Sequence, residues 1–130
     1  RLMGDLTSEM GVSLVLITHD LGLVATYASR MNVMYGGRIV ETGDTRMIFQ
    51  APRHPYTNGL LASIPRLSGS RETRLHPIPG QPPNLARLGK GCAFAPRCEM
   101  AHAACLQQRP ELVKAGHGRK SACFYAEEIL

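Results

Sequence analysis

Leu14-Val15-Leu16-Ile17-Thr18-His19-Asp20-Leu21 is the stretch on which the fold turns. Its apolar part runs from Val12 to Ile17, short, nearly unbroken and rich in Val, Leu and Ile, the composition of a strand buried on both faces between helices. It stops at a polar triplet, where Asp20 is placed to cap a helix over residues 21–30. Upstream, Leu2, Leu6 and Met10, with Met3 beside them, fall at helical spacing, and Gly11 stands where a C-terminal cap belongs. Helix, strand, polar triplet and helix in that order predict an α/β sheet, in which ligands sit beyond the carboxyl ends of the strands. His19 stands at such an end. An imidazole there can hydrogen-bond a phosphate or a water and exchange a proton near neutral pH. The same position also suits a turn residue that only satisfies backbone groups.

Downstream the period changes. Met31 to Tyr35 and Arg38 to Thr42 read as two strands joined by Gly36-Gly37, because two glycines supply the positive φ that a tight hairpin needs. Gly43-Asp44 ends the second strand, and Asp44 caps a short helix over 45–50 that Pro52 breaks. His54-Pro55 opens another helix to about Ile64, closed by Pro65. His54, in His54-Pro55-Tyr56-Thr57, reads as a packing and capping residue ahead of a ligand. Residues 66–90 are rich in Arg, Ser, Gly, Pro and Leu and include the turn-forming Pro79-Gly80-Gln81-Pro82-Pro83. They read as a linker or an extended wrap.

All four cysteines, Cys92, Cys98, Cys105 and Cys123, lie beyond that wrap in the pattern C-x5-C-x6-C-x17-C. Four soft ligands are what a tetrahedral metal or a cubane iron–sulfur cluster requires. Zinc ribbons bring two thiolates together in C-x2-C pairs, whereas these gaps put each thiolate on a turn of its own, which better suits a cluster taking one cysteine per iron. Zinc, and disulfides or free thiols, stay open beside the cluster. Pro96 stiffens the loop, and Arg97 is placed to offset the charge of a thiolate-ligated centre. His102 and His117 are candidate substitute ligands at positions that also read as exposed loop.

Composition bounds these readings. A chain of 130 residues, 44% hydrophobic but only 5% aromatic and without tryptophan, can bury one ordinary core or a part-domain with an appendage. The net charge is +5, with fifteen Lys and Arg spread along the length. That spread, with few aromatics to stack bases, favours a basic solvated surface over a nucleic-acid site. The longest apolar run is too short to cross a bilayer, and no secretory hydrophobic region opens the chain. The expectation is a soluble chain in a reducing compartment, where cysteines serve as ligands more readily than as disulfides. Because the helical pattern at the start has no capping residue before it, the chain is expected to be a fragment of a longer protein.

The stretch from Leu14 to Leu21 resembles the switch-histidine region of ABC-transporter ATPase subunits, and Met34-Tyr35-Gly36-Gly37-Arg38-Ile39-Val40-Glu41-Thr42-Gly43 resembles the hairpin that follows it. Taken with His54-Pro55-Tyr56-Thr57, Pro79-Gly80-Gln81-Pro82-Pro83 and Gly91-Cys92-Ala93-Phe94-Ala95-Pro96-Arg97-Cys98, the series resembles the oligopeptide/dipeptide importer branch, in this order and over nearly the whole chain. The resemblance implies an α/β fold: the C-terminal part of an ABC-type P-loop ATPase domain over residues 1–65, a linker or wrap over 66–90, and a small irregular cysteine-rich metal-binding extension over 91–130. It implies that His19 contacts the γ-phosphate of ATP and helps to position the attacking water, work governed by positioning and charge stabilisation. ATP and Mg2+ would belong to the full-length subunit, with half of the site supplied by a second ATPase subunit in a homo- or heterodimer. Cys92, Cys98, Cys105 and Cys123 match a tail that holds a [4Fe-4S] cluster in some members, with Zn2+ as the alternative. The implied partners are transmembrane permease subunits and, through them, an extracytoplasmic substrate-binding protein, with no nucleic acid. The implied location is peripheral, at the cytoplasmic face of the cell membrane.

The departures are as specific. Gly89-Lys90-Gly91 is the nearest approach to a phosphate-cradling G-x-x-x-x-G-K-[ST] loop, but Asn84 replaces its first glycine and Gly91 its hydroxyl residue. The carboxylates that bind magnesium are expected upstream of Arg1, and Leu67-Ser68-Gly69-Ser70 is a linker coincidence with the family signature. The chain alone is therefore expected neither to bind ATP tightly nor to hydrolyse it. The alternative is a free-standing metal-binding regulatory module, holding zinc or an iron–sulfur cluster, with part of an ATPase core kept as scaffold. In that case Val12 to Ile17 would expose its edges and apolar faces.

Overall fold

A computed structural model describes residues 4, 7, 9–64 and 77–129. Its organising element is the glycine hairpin. Strand β1 (Arg30–Tyr35) pairs antiparallel with β2 (Arg38–Asp44), from Tyr35 opposite Arg38 to Arg30 opposite Asp44, with one register shift between Val33 and Met34. Gly36 and Gly37, at φ 57° and 75°, make the turn that the sequence predicts. Along β1 exposed and buried residues alternate, turning Met31, Val33 and Tyr35 to one face.

Short helices flank the hairpin, each started as the sequence indicates. Helix α1 (Leu21–Tyr27) is capped by Asp20, whose carboxylate accepts from the amides of Gly22 and Leu23 at 2.8 and 3.2 Å. It ends before the expected Arg30, because Arg30 already belongs to β1. Helix α2 (Thr45–Gln50) is capped by Asp44, which accepts from the Met47 amide at 3.2 Å. Helix α3 (Pro55–Ala62) begins at His54, whose Nδ1 accepts from the Tyr56 amide at 3.1 Å.

The stretch 77–90 is irregular apart from a 3-10 turn at Leu85–Arg87. Ile78 packs on the core, and a Cβ on Gly59 would come 2.8 Å from the Ile78 side chain, so a larger residue in α3 would require Ile78 to shift. A second 3-10 turn (Ala95–Arg97), helix α4 (Ala103–Gln107) and strands β3 (Val113–Lys114) and β4 (Lys120–Ser121) follow. The four strands form one antiparallel sheet in the order β1-β2-β4-β3. Two-residue strands leave no period-2 signal, which is why the sequence does not announce β3 and β4.

The core gathers Met31, Val33, Tyr35, Val40 and Ile48 with Phe94 from the cysteine-bearing stretch. Phe94 meets Tyr35 edge-on, with ring centroids 5.2 Å apart, and Tyr56 at 5.4 Å. The low aromatic content is thus concentrated where three chain segments meet.

The expected strand over Val12 to Ile17 does not form. It pairs with no described strand, and its side chains face solvent, Val15 at 85% and Ile17 at 95% exposure. A strand buried on both faces needs partners on both edges, and every pairing among the described residues is antiparallel and belongs to the hairpin or the tail. Gly11, at φ 62° after the helical Glu9 and Met10, fits the expected C-terminal cap. Leu2, Met3 and Leu6 of that helix, and residues 65–76 with Leu67-Ser68-Gly69-Ser70, lie outside the described residues. No described helix is long and apolar enough to cross a membrane.

Candidate functional site

His19 sits at the open start of α1. The Asp20 amide donates to Thr18 Oγ1 at 2.9 Å, so the triplet folds into a small turn that holds the imidazole just ahead of the cap. The ring is exposed, next to the bare Val12–Ile17 run. It is accessible to a ligand approaching the α1 end.

The four cysteines arrive at one place by different routes. The Cys92 amide donates to the Cys105 carbonyl at 2.7 Å, tying the first loop to α4. Gly91 makes that approach feasible, since a Cβ there would come 2.5 Å from the carbonyl oxygens of Cys105 and Leu106. The Ala95–Arg97 turn returns the chain so that the Cys98 amide reaches the Ala95 carbonyl at 3.2 Å. Ala122, just past β4, donates to Val40 at 2.8 Å and so delivers Cys123 beside the hairpin. All four thiols are free and line a single pocket that also includes His54 and Phe94.

Burial pushes the Cys92 and Cys98 thiols up and the Cys123 thiol up to about 11, and neighbouring sulfurs add to the shift. Backbone amides oppose it at each: Phe94 and Ala95 at Cys92, Met100 at Cys98, and Tyr125 at Cys123. An amide two residues beyond each of these three sulfurs recurs, an arrangement that favours thiolate over thiol. Sulfur is a soft donor, but burial outweighs the amides at these three residues, so the net shift favours the thiol over the thiolate that would ligate a metal. Convergence is incomplete: among the described residues no three His, Cys, Asp or Glu side chains close around a point where one ion could sit. The expected metal-binding character of the extension is therefore not borne out: the four cysteines share a pocket of about 20 Å³ with apolar side chains and form no coordination shell among the described residues. His102 packs on Tyr125, with ring centroids 4.5 Å apart, and His117 lies in the β3–β4 turn; neither lines the cysteine pocket.

Against this pocket lies a buried polar cluster of which only His54 stands out in the sequence, as a packing and capping residue. Glu41 is 0%, His54 1%, Thr57 1% and Ser121 0% exposed. The Arg53 amide donates to Glu41 Oε1 at 2.7 Å, the Ser121 hydroxyl donates to the Arg53 carbonyl, and Arg53 Nη1 donates to the carbonyls of Ala126, Glu127 and Ile129 at 3.2 to 3.3 Å. Arg119 extends the clamp, donating to Ala115, Met47 and Ala51 carbonyls. Glu41 Oε2 and Thr57 Oγ1 have no hydrogen-bond partner among the described residues. Burial raises the Glu41 pKa, opposed first by the neighbouring Thr57 hydroxyl and then by the Arg53 amide and the Arg119 charge, and burial lowers that of His54 to about 4. The available signal was parity, since Glu41 stands opposite Val33 on the inward face.

Residues 40–105 match the family described as "Oligopeptide/dipeptide transporter, C-terminal region". The chain belongs to this family. The match to the oligopeptide/dipeptide transporter region begins in β2 and ends at Cys105, so Glu41, His54 and three of the four cysteines fall inside it. The chain is 47% identical over 133 aligned residues to a putative peptide import ATP-binding protein of Brucella ovis, covering 98% of this chain and 39% of that relative. It is 48% identical to the oligopeptide transport ATP-binding protein OppD of Mycobacterium tuberculosis, over 92% of this chain and 19% of the relative. To OppD of Haemophilus influenzae it is 45% identical, over 98% of this chain and 39% of the relative. The chain therefore spans about two fifths or less of the length of these transport proteins.

Proposed function

We propose that this chain forms the C-terminal part of the ATP-binding subunit of an oligopeptide or dipeptide ABC importer and helps to couple ATP hydrolysis to substrate uptake. The observation that carries this reading is the 47% identity over 98% of the chain to a peptide import ATP-binding protein. The bare Val12–Ile17 run supports it: apolar side chains left in water cost free energy that a neighbouring sheet would recover. The same exposure weighs against a free-standing metal-binding module.

In this reading residues 1–65 belong to the ATPase domain, 66–90 are a linker or wrap, and 91–130 form the cysteine-rich extension. His19 donates to the γ-phosphate of ATP and orients the attacking water, a positioning task that its exposed place at the start of α1 permits. Mg2+ and the phosphate cradle are held by residues outside this chain, and a second ATPase subunit completes the site. Transmembrane permease subunits hold the complex at the cytoplasmic face of the membrane, an extracytoplasmic binding protein delivers cargo to them, and nucleic acid has no part.

Cys92, Cys98, Cys105 and Cys123 are the residues that would hold a metal centre. Their separate turns favour a [4Fe-4S] cluster, while the small free space between them fits a single Zn2+ with less movement. Either would tie the loop at Cys92, the turn at Cys98, α4 and the tail at Cys123 together. Uptake of a labelled oligopeptide by cells carrying the intact gene, against cells whose gene lacks residues 1–130, tests the function. Lost uptake agrees with it, and undiminished uptake contradicts it.

A further inference from the structure

The sheet face turned away from the core carries an unusual row. Asn32, Thr42, Lys120 and Lys114 stand opposite one another in successive strands, and Arg30 lies two residues from Asn32 on the same face. The Thr42 hydroxyl donates to Asn32 Oδ1, which fixes the neutral end of the row. The other end sets Lys114 directly against Lys120, both exposed. Like charges directly opposite in an antiparallel pair repel, so this two-residue ladder carries a cost that nothing beside it offsets. Among the described residues the ion pair joins Arg53 to Glu127, and Arg30, Lys114 and Lys120 have no carboxylate partner. Asp44, opposite Arg30, turns its carboxylate to the Met47 amide instead.

The face is concave. Arg30, Thr42, Lys114, His117 and Lys120 line a groove of about 900 Å³ that has no acidic residue in its wall. The β3–β4 turn closes one side with Gly116 at φ 90° and Gly118 at φ 64°, bracketing His117. Positive φ at both glycines lets the chain reverse sharply there. Arg119, in the same wall, is held from behind by three carbonyls and keeps the turn in place. Neighbouring strands lie about 4.8 Å apart, so the backbones of β1 and β3 are about 14 Å apart across the sheet.

We propose that this groove binds a soluble anion carrying more than one phosphate group, gripped between Lys114, Lys120 and Arg30 with the Gly116–Gly118 turn at its end. An open groove of this size has room for a small soluble ligand. Spread cations suit several linked phosphates better than one. The site is separate from His19 and from the cysteine pocket, and does not depend on either.

The test is calorimetric titration of the intact subunit with pyrophosphate at low ionic strength, comparing the natural chain with Lys114→Ala/Lys120→Ala and with Arg30→Gln. Any phosphate site elsewhere in the subunit is common to all three, so the difference isolates the groove. The expected result is a binding event in the natural chain that weakens about tenfold or more in each variant and weakens with salt. Pyrophosphate should also raise the melting temperature of the natural chain more than that of the double variant. The double variant alone should melt no lower than the natural chain, since its substitutions remove repulsion. Equal pyrophosphate affinity in all three proteins overturns the proposal. So does binding to phosphatidylglycerol vesicles that is lost in the double variant while pyrophosphate binding is unchanged, which would make the face a membrane contact.

Discussion

The backbone amide of Arg53 donates to Glu41 Oε1 at 2.7 Å, joining the segment before α3 to the middle of β2 inside the protein. Arg53 then reaches the tail carbonyls of Ala126, Glu127 and Ile129, so one residue links the hairpin, α3 and the chain end. Glu41→Ala removes the acceptor and leaves a buried amide unpaired, which should destabilise the protein by about 2 kcal/mol in chemical denaturation. Glu41→Gln keeps an oxygen in reach and should cost less.

The same carboxyl has a pH signature. Its pKa is raised in the folded state by burial, so the folded protein favours the protonated form. Stability from this group is full below the ordinary glutamate range and falls as pH rises through the raised value. Glu41→Gln should remove that falling component from a stability-against-pH curve.

His54 acts in the opposite sense. Its folded pKa is lowered to about 4 from 6.5 by burial, so the unfolded chain binds the extra proton between those values. Stability should therefore be full above pH 6.5 and decline as pH falls towards 4, by on the order of 3 kcal/mol in total. Denaturant titrations at pH 7 and pH 4.5 measure the difference, and His54→Gln should flatten it.

Gly91 is the tightest backbone contact of the cysteine pocket. Gly91→Ala would drive a Cβ into two carbonyl oxygens, so the loop carrying Cys92 must move away from α4. A loss of about 1 to 3 kcal/mol is expected in thermal or chemical melting. Iron, sulfide and zinc content of anaerobically purified protein should fall with it. Raised thiol pKa values at Cys92, Cys98 and Cys123 also mean that protons must leave as metal enters, so loading should strengthen with rising pH.

Much of this was legible in the sequence. Gly36-Gly37, Asp20, Asp44 and His54-Pro55 act locally, each satisfying the few backbone groups beside it, and each stands where local chemistry predicts. Val12 to Ile17 was misread because a buried strand is a property of its neighbours, and an apolar run states only a preference. β3 and β4 were invisible because two residues have no period. Glu41 escaped notice because a carboxylate in an alternating strand is expected outside, and its burial depends on Arg53 and Arg119, distant in sequence. The cysteines drew attention by type, but their meeting in one pocket depends on Gly91, Phe94 and the bond from Ala122 to Val40.

The proposed role of His19 in positioning the water that attacks ATP makes a direct kinetic prediction. His19→Ala, measured in the complete complex of ATPase and permease subunits, should retain ATP binding while the hydrolysis rate falls about a hundredfold, the scale of losing one preorganised group at a reacting centre. Hydrolysis at the natural rate in that variant would contradict the account.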